Sequence, residues 1–318
     1  MKLVKFLIKL FKKIQFRFIL KPKKHIYRKL TFYSLNKNKS FLRLSSYPLA
    51  SGDTFRKFSD HIFDETKKLN PKKVKDDDIV FLSTDLKDIF FEQYHNQINA
   101  KYFLITHNSD LPIELSDLNY IDEKIKHWFA MKLNVEMNKN ISPLPAGFEN
   151  LRYLSNGIVS NFIKTYKLSS NLKKSNNILC SFKEGTNKGE RVPLLKIAKT
   201  HNLIDVKNFT DNKEYLRCLS QYKFNLCPDG NYFESHRLWE TLFFGGIPIL
   251  KKNTVNLNFI NIGIPAVLLE DWGELNNPDI TTYLDKKILN KSNDPRKYVF
   301  FDFWKDRINS KKSEFHVQ

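Results

Sequence analysis

Arg237 and Glu240 stand three residues apart in the stretch FNLCPDGNYFESHRLWETLFFGGIPIL, residues 224–250. On a helix that spacing makes the two side chains neighbours on one face. A fixed guanidinium grips a phosphate at two points. A carboxylate one turn along accepts bonds from sugar hydroxyls, and a helix N-terminus favours anionic groups. Together they are expected to clamp a nucleotide sugar, although on spacing alone an Arg–Glu pair on a solvated helix face is the commoner arrangement. The rest of the stretch supplies the frame. Phe224, Asn225, Leu226 and Cys227 read as a short buried strand, and Pro228, Asp229, Gly230 and Asn231 as a turn. Ser235 is placed to cap the helix with its hydroxyl, and Gly245 and Gly246 end it. Leu238, Trp239, Leu242 and Phe243 share the side expected to pack on a sheet. Gly230, Asn231 and Ser235, at the mouth of this helix, join Arg237 and Glu240 as candidate donor-binding residues.

In these residues the chain resembles the exostosin-like glycosyltransferases and their relatives. Ser235, Arg237, Glu240, Gly246, Ile247, Pro248 and Ile249 match a Ser-x-Arg-x-x-Glu helix, small-residue turn and Ile-Pro-Ile in order and spacing. Asp271 and Trp272 resemble the Asp-Trp that follows, and weaker similarity runs from Phe81 to Phe303. The resemblance implies two Rossmann-like α/β domains facing a cleft, the GT-B arrangement. It implies transfer of a hexosyl or pentosyl group from a nucleotide-sugar donor to a glycan or lipid-linked saccharide, as in surface polysaccharide or glycoconjugate synthesis; an inverting displacement is the commoner mode of such families, but the resemblance does not fix the anomeric outcome. It also implies an arginine facing the donor diphosphate; Arg191 matches best, with Lys183 second. A cationic cleft can replace a metal in stabilising the departing diphosphate, so no metal or other cofactor is expected.

The elements that must position these residues alternate. Ile79 to Leu82 reads as a strand, Leu86 to Gln97 as a helix and Tyr102 to Thr106 as a strand running into His107, Asn108, Ser109 and Asp110. Ile121 to His127 looks helical or turn-like, and Ile141 to Ala146 like a further strand. Such alternation is that of an α/β domain with a mainly parallel sheet. Ligands sit beyond the carboxyl ends of its strands, so His107 and Asp110 are the candidate catalytic bases, able to take a proton from an attacking hydroxyl; the plain alternative is an Asx turn. The second half opens with a strand, Ile178 to Phe182. A Gly-bearing, basic loop follows, then a helix from Val192 to His201. Lys183 and Arg191 lie in that loop, a phosphate-binding arrangement in principle, with the wrong glycine spacing for a Walker or Rossmann fingerprint. The run Asp76, Asp77, Asp78 could suggest a metal-bound donor but more often marks a solvated approach to a strand.

The expected division is therefore a basic amphipathic membrane-surface helix over residues 1–30, an acceptor-side α/β domain over 31–167, and a linker over 168–177. A nucleotide-sugar-binding α/β domain follows over 178–295, then a C-terminal helix over 296–318 that, by the resemblance, crosses back to the first domain. A chain of 318 residues with 41% hydrophobic and 14% aromatic residues is long enough and apolar enough for two cores. Its formal charge of +19 must find a partner or a surface, and no acidic residue precedes Asp53. In residues 1–30 lysines interrupt every apolar run, which speaks against a spanning helix and against a signal peptide. Leu3, Phe6, Leu7, Leu10, Phe11 and Ile14 recur at helical spacing, as in a helix lying on an anionic membrane. Cys180, Cys218 and Cys227 have no metal-ligand spacing and read as reduced thiols of the cytoplasm; the expected place is peripheral, on the inner face of a membrane. The charge also raises a basic nucleic-acid-binding protein as an alternative, but no recognisable nucleic-acid module is present, and no nucleic-acid partner is expected. A non-catalytic, glycosyltransferase-like scaffold is the other alternative, which intact Arg237 and Glu240 argue against.

Overall fold

The computed structural model describes residues 43–292 and 294–315. The basic segment 1–30, with its expected membrane helix, lies outside the described residues. Two α/β units follow one another. In the first, α1 (Gly52–Phe58), β1 (His61–Phe63), β2 (Ile79–Ser83), α2 (Lys87–Gln93), β3 (Tyr102–His107), β4 (Ile125–Met131) and β5 (Ile141–Leu144) lead to α3 (Val159–Ser169). In the second, β6 (Ser175–Cys180), α4 (Lys188–Thr200), β7 (Ile204–Val206), α5 (Asn212–Leu219), β8 (Tyr222–Leu226) and α6 (His236–Phe243) come first. They lead to β9 (Ile247–Lys251), α7 (Thr254–Asn261), β10 (Ala266–Leu269), α8 (Ile280–Lys286), β11 (Ile288–Leu289) and α9 (Phe301–Glu314).

The first sheet has the order β1-β2-β3-β4-β5 and is parallel throughout. The second has the order β11-β10-β9-β8-β6-β7, parallel except where β11 runs against β10. The strand sequences explain this. Ile79–Ser83 and Tyr102–His107 are buried at every position, as strands covered on both faces must be. The architecture is thus α/β, with two Rossmann-like sheets, the first parallel and the second parallel but for its edge strand β11.

One local expectation is corrected, and three further stretches take a form that their sequence left open. Residues 125–131 are a strand, although Ile121 to His127 was expected to be helical or turn-like: Trp128, Phe129 and Ala130 make the segment a buried run that pairs with β3. Residues 31–75 lack periodicity, yet α1 and β1 lie within them, α1 started by Ser51, whose side chain accepts from the Thr54 amide. Residues 168 and 169 end α3 and residues 175–177 begin β6, so the polar stretch 168–177 is shared between a helix end and an edge of a strand. The acidic run before β2 is spent on local bonds: Asp76 accepts from the Lys101 amide at 2.7 Å and Asp78 from His61 at 2.8 Å.

The helix that carries Arg237 and Glu240 packs differently from the expectation of one face on a sheet. Leu238, Trp239, Leu242 and Phe243 join a core that also holds Phe55, Phe81 and Phe103 from the first unit. Trp239 meets Phe259 of α7 and Trp304 of α9 edge-on, at 5.1 and 6.0 Å between ring centres. Phe243 meets Phe148 and Phe162 at 6.0 and 5.5 Å. The apolar face of α6 is wedged between the two units, so its polar face is held at the gap between them. Gly245, with φ of 68°, ends the helix in a conformation that a side chain would strain. Helix α9 also touches the first unit: Phe301 packs on Phe55 at 5.3 Å, and Lys312 donates to the carbonyl of Asp77 at 2.7 Å. Among the described residues no helix is long and apolar enough to cross a membrane.

Candidate functional site

Loops leaving the carboxyl ends of β3, β4 and β5 in the first unit and of β6, β7 and β8 in the second line one cavity of about 910 Å³. Strand ends of parallel sheets are where such loops are free to vary and to bind. Every residue expected to bind or react from the sequence lies on its wall: His107 and Asp110 from the first unit, Lys183, Arg191, Gly230, Asn231, Ser235, Arg237 and Glu240 from the second.

The first turn of α6 forms the heart of the second wall. Arg237 is half-buried and its Nε has no hydrogen-bond partner. Its guanidinium carbon lies 5.9 Å from the centre of the Tyr215 ring. Burial works against its charge, but Tyr215 and Glu240 beside it hold its pKa above the ordinary arginine value. Glu240 is buried and accepts a bond at Oε2 from the Tyr215 hydroxyl, at 2.7 Å. Burial raises its pKa, and the charge of Arg237 opposes the rise. The solvated polar face that is the commoner fate of such a pair is not what the fold provides; both groups line the cavity between the two walls. Ser235 occupies the cap position, but its hydroxyl makes no capping bond and its Oγ has no partner. The Leu238 amide bonds instead to the Ser235 carbonyl at 3.2 Å, which removes the cap's usual target.

Arg191 plays a more local part than the phosphate grip expected of it. It is buried, Nε donates to the Asp229 carbonyl at 2.9 Å and Nη1 to the Lys183 carbonyl at 2.9 Å. It thereby ties the loop after β6 to the loop after β8. Burial, with Arg237 nearby, pulls its pKa down to about 10. Lys183 keeps its ammonium exposed at the rim while its carbonyl serves Arg191. Gly230 closes the turn by donating to the Glu234 carbonyl at 3.1 Å; a Cβ there would sit 2.8 Å from the same oxygen. Asn231 reaches across the cavity and donates from Nδ2 to Oδ2 of Asp110, at 2.8 Å.

On the first wall, His107 is corrected as a base. It is buried, its Nδ1 accepts from the Asn108 amide at 2.7 Å, and its Nε2–H donates to the Pro145 carbonyl at 2.9 Å. Both nitrogens are spent, and burial, first of all, lowers the pKa to about 4. Asp110 is ionised and committed as well: Lys132 donates to its Oδ1 at 3.0 Å. Partial burial would raise its pKa, but the bonds from Asn231 and Lys132 bring it below the ordinary value. A carboxylate so stabilised is a weak base.

The sequence gives no sign of Glu234, which stands between these walls. It is 3% exposed, and at φ of 71° it holds a conformation that only glycine adopts freely. Its Oε1 accepts from the Ala146 amide of the first unit at 2.8 Å and from Trp239 Nε1 of the second at 2.6 Å; Oε2 has no partner. Burial lifts its pKa to about 7, against the pull of those two bonds. Asn108 and Lys132, also on the cavity wall, share the left-handed backbone, with φ of 61° and 52°. Held outliers of this kind gather at functional sites. In the sequence Glu234 merely precedes a cap, where an acidic residue is the ordinary partner of a helix dipole; Tyr215 likewise looks like one more aromatic of an amphipathic helix.

No family model matches the chain, and no curated protein matches it. Solved structures do. An apo structure of OtsA is similar over 76% of this chain and 72% of that one, with a TM-score of 0.41 and 11% identity. A structure described as trehalose-6-phosphate from E. coli bound with UDP-2-fluoro glucose covers 77% and 73%, with a TM-score of 0.41 and 11% identity. The pneumococcal O-GlcNAc transferase GtfA, in complex with UDP and GlcNAc, covers 77% of this chain and 56% of its own, with a TM-score of 0.36 and 13% identity.

Proposed function

We propose that the chain is a glycosyltransferase that moves a hexosyl or pentosyl group from a nucleotide-sugar donor to a glycan or lipid-linked saccharide. The observation that carries this reading is the polar face of α6: Arg237 with an unspent Nε, and Glu240 one turn on, set together on the wall of a 910 Å³ cavity. The exostosin-like spacing of Ser235, Arg237 and Glu240 supports the same reading. Arg237 would take the donor diphosphate, with the Lys183 ammonium at the rim and Arg191 behind it adding positive potential. Glu240, already oriented by Tyr215, would hold the ribose or the donor sugar. Gly230, Asn231 and Ser235 would shape the mouth, the Ser235 hydroxyl being unspent.

In the transition state the bond from the anomeric carbon to the diphosphate breaks and negative charge gathers on the leaving oxygens. A preorganised guanidinium placed where that charge develops stabilises the transition state more than the ground state. These cations are proposed to do the work without a divalent ion, in an inverting displacement. Residues 1–30 are proposed to hold the enzyme on an anionic membrane, at its inner face, where lipid-linked acceptors would be within reach. The overall charge of +19 and the absence of any acid before Asp53 support that anchoring.

Thermal shift against nucleoside diphosphates and their sugars tests the site. A ligand bound only by the folded state raises the melting temperature, and Arg237→Ala should sharply reduce that rise in a protein that still folds. A variant that binds and turns over donors as the wild type does would remove Arg237 from the reading. Deleting residues 1–24 should release the protein from anionic vesicles without changing donor affinity; unchanged vesicle binding would refute the anchor.

A further inference from the structure

Glycosyl transfer needs a group that takes the proton of the attacking hydroxyl, and the two side chains expected to do so are committed elsewhere. His107 has neither nitrogen free, and Asp110 is an ion pair with Lys132. Of the buried carboxyls on the cavity wall, Glu240 is oriented by Tyr215 beside Arg237 on the donor side, and Glu234 keeps Oε2 without a hydrogen bond. Glu234 is anchored through Oε1 by one donor from each unit, so its second oxygen is held at the junction of the two walls. That oxygen is shielded from bulk water and makes no hydrogen bond. The backbone around it is fixed by Asp229, whose Oδ1 accepts the Glu234 amide at 3.1 Å, and Asp229 is fixed in turn by Asn253 at 3.0 Å. A strained conformation secured from so many sides is the mark of a side chain whose aim matters.

We propose that Glu234 is the catalytic base, taking the acceptor proton at Oε2. The proposal rests on the glycosyl-transfer reading above and deepens it. As the acceptor oxygen attacks the anomeric carbon, its O–H bond breaks and the proton passes to Oε2. The anomeric C–O bond to the diphosphate breaks at the same time, and the leaving oxygen departs with that electron pair beside Arg237. The neutral carboxylic acid left on Glu234 then releases its proton to solvent. The charged groups facing Glu234 are Asp229 from its own loop and Lys132 from the end of β4, one raising and one lowering its proton affinity. His236, the first residue of α6, donates from Nδ1 to the Gly147 carbonyl at 2.7 Å, and His107 on the first wall stays neutral. Burial sets the carboxyl near neutrality, which suits a base working at that pH.

The full-length protein, first screened for a thermal shift with UDP-, GDP- and CDP-sugars, is assayed for donor hydrolysis from pH 5 to 9, with water standing in for the acceptor. Glu234→Gln keeps the acceptor atom that Ala146 and Trp239 use, so fold and donor affinity should survive. Turnover should fall about 100- to 10,000-fold, the usual contribution of a general base. The wild-type rate should rise with pH through an ascending limb near neutrality that Glu234→Gln lacks and Asp110→Asn keeps. Glu234→Asp, which retains a retracted carboxylate, should lose rate but keep the limb. The proposal is overturned by a Glu234→Gln enzyme that turns over within about threefold of wild type, or by a limb that vanishes in Asp110→Asn instead. In either case donor binding by the wild type leaves the glycosyl-transfer reading standing. A wild type that neither binds nor hydrolyses any of these sugars overturns that reading, and the base assignment with it.

Discussion

The two walls of the cavity use their polar groups in opposite ways. Behind the first wall the side chains are bound to one another. Asp53 Oδ1 accepts from Arg43 Nε at 3.0 Å, Arg152 Nη1 at 3.0 Å and Asn108 Nδ2 at 3.1 Å, and Asn150 donates to Asn108 at 2.7 Å. The other Asp53 oxygen is buried behind these groups, away from the cavity. On the second wall Ser235 Oγ, Arg237 Nε and Glu234 Oε2 are left without hydrogen bonds. A buried polar group without a partner costs about 1–3 kcal/mol, so a fold tolerates several side by side only where something else gains. The difference separates a wall that holds a shape from a wall that waits for a ligand.

The largest effect that could break this comparison lies in the first wall. Asp53→Ala leaves Arg43 and Arg152 facing each other, both with side chains under 10% exposed. Removing one partner of a buried ion pair costs about 3–5 kcal/mol, so denaturant unfolding should show a loss of that size, while nucleotide affinity of the folded fraction stays within about twofold. A stable Asp53→Ala protein that had lost its ligand would place the binding wall on the wrong side. Next in size is Arg237→Ala. A hydrogen bond to a charged group contributes about 1.5–3 kcal/mol, so calorimetry should find nucleotide diphosphate affinity of the folded protein lowered roughly 10- to 100-fold.

How much of this contrast the sequence displayed depends on how local each feature is. The β8–turn–α6–β9 run was legible because each step is a local signal: an apolar strand, turn residues, a helical stripe and a glycine stop. Arg237 and Glu240 were legible for the same reason, since their spacing alone puts them on one face. What they face was not, because the packing of Trp239 and Phe243 against the first unit, Phe259 and Trp304 decides which way that face turns. His107 misled because its position at a strand end was right while the acceptor of its Nε2 proton, Pro145, is 38 residues away. Glu234 was invisible because its two anchors, Ala146 and Trp239, come from opposite walls and only the folded chain brings them together.

Glu234 also makes the contrast measurable as a pH dependence of stability. Its carboxyl is raised by burial from 4.5 to about 7 on folding. Below the unfolded value both states are protonated and nothing is lost. As pH rises from about 4.5 to 7 the unfolded chain gives up its proton first, so stability falls, and above the folded value the full loss remains. Glutamine does not titrate. The stability of Glu234→Gln relative to wild type should therefore increase by about 2–3 kcal/mol between pH 4.5 and pH 7.5. A flat difference in denaturant melts across that range would show that the carboxyl is not held in a low-dielectric site.

The smallest effect belongs to the link between the walls. Asp110 is more than half exposed, 59% for its side chain, and joins Lys132 on its own wall to Asn231 on the other. Exposed ion pairs contribute about 0.2–1 kcal/mol, so Asp110→Asn should destabilise by no more than that at pH 7. The sign with pH is opposite to that of Glu234. The folded-state pKa of Asp110 lies below the ordinary 3.8, so its contribution is present above that value and disappears as pH falls through the folded one. Wild-type and Asp110→Asn melts should therefore differ slightly at pH 7 and converge near pH 3. Because the Asp110 carboxylate is paired across the cavity and the Arg237 Nε is not, Asp110→Asn should weaken donor binding far less than Arg237→Ala. A larger loss from Asp110→Asn would mean that the ligand is held by the bridge between the walls, and the division between a shaping wall and a binding wall would fall.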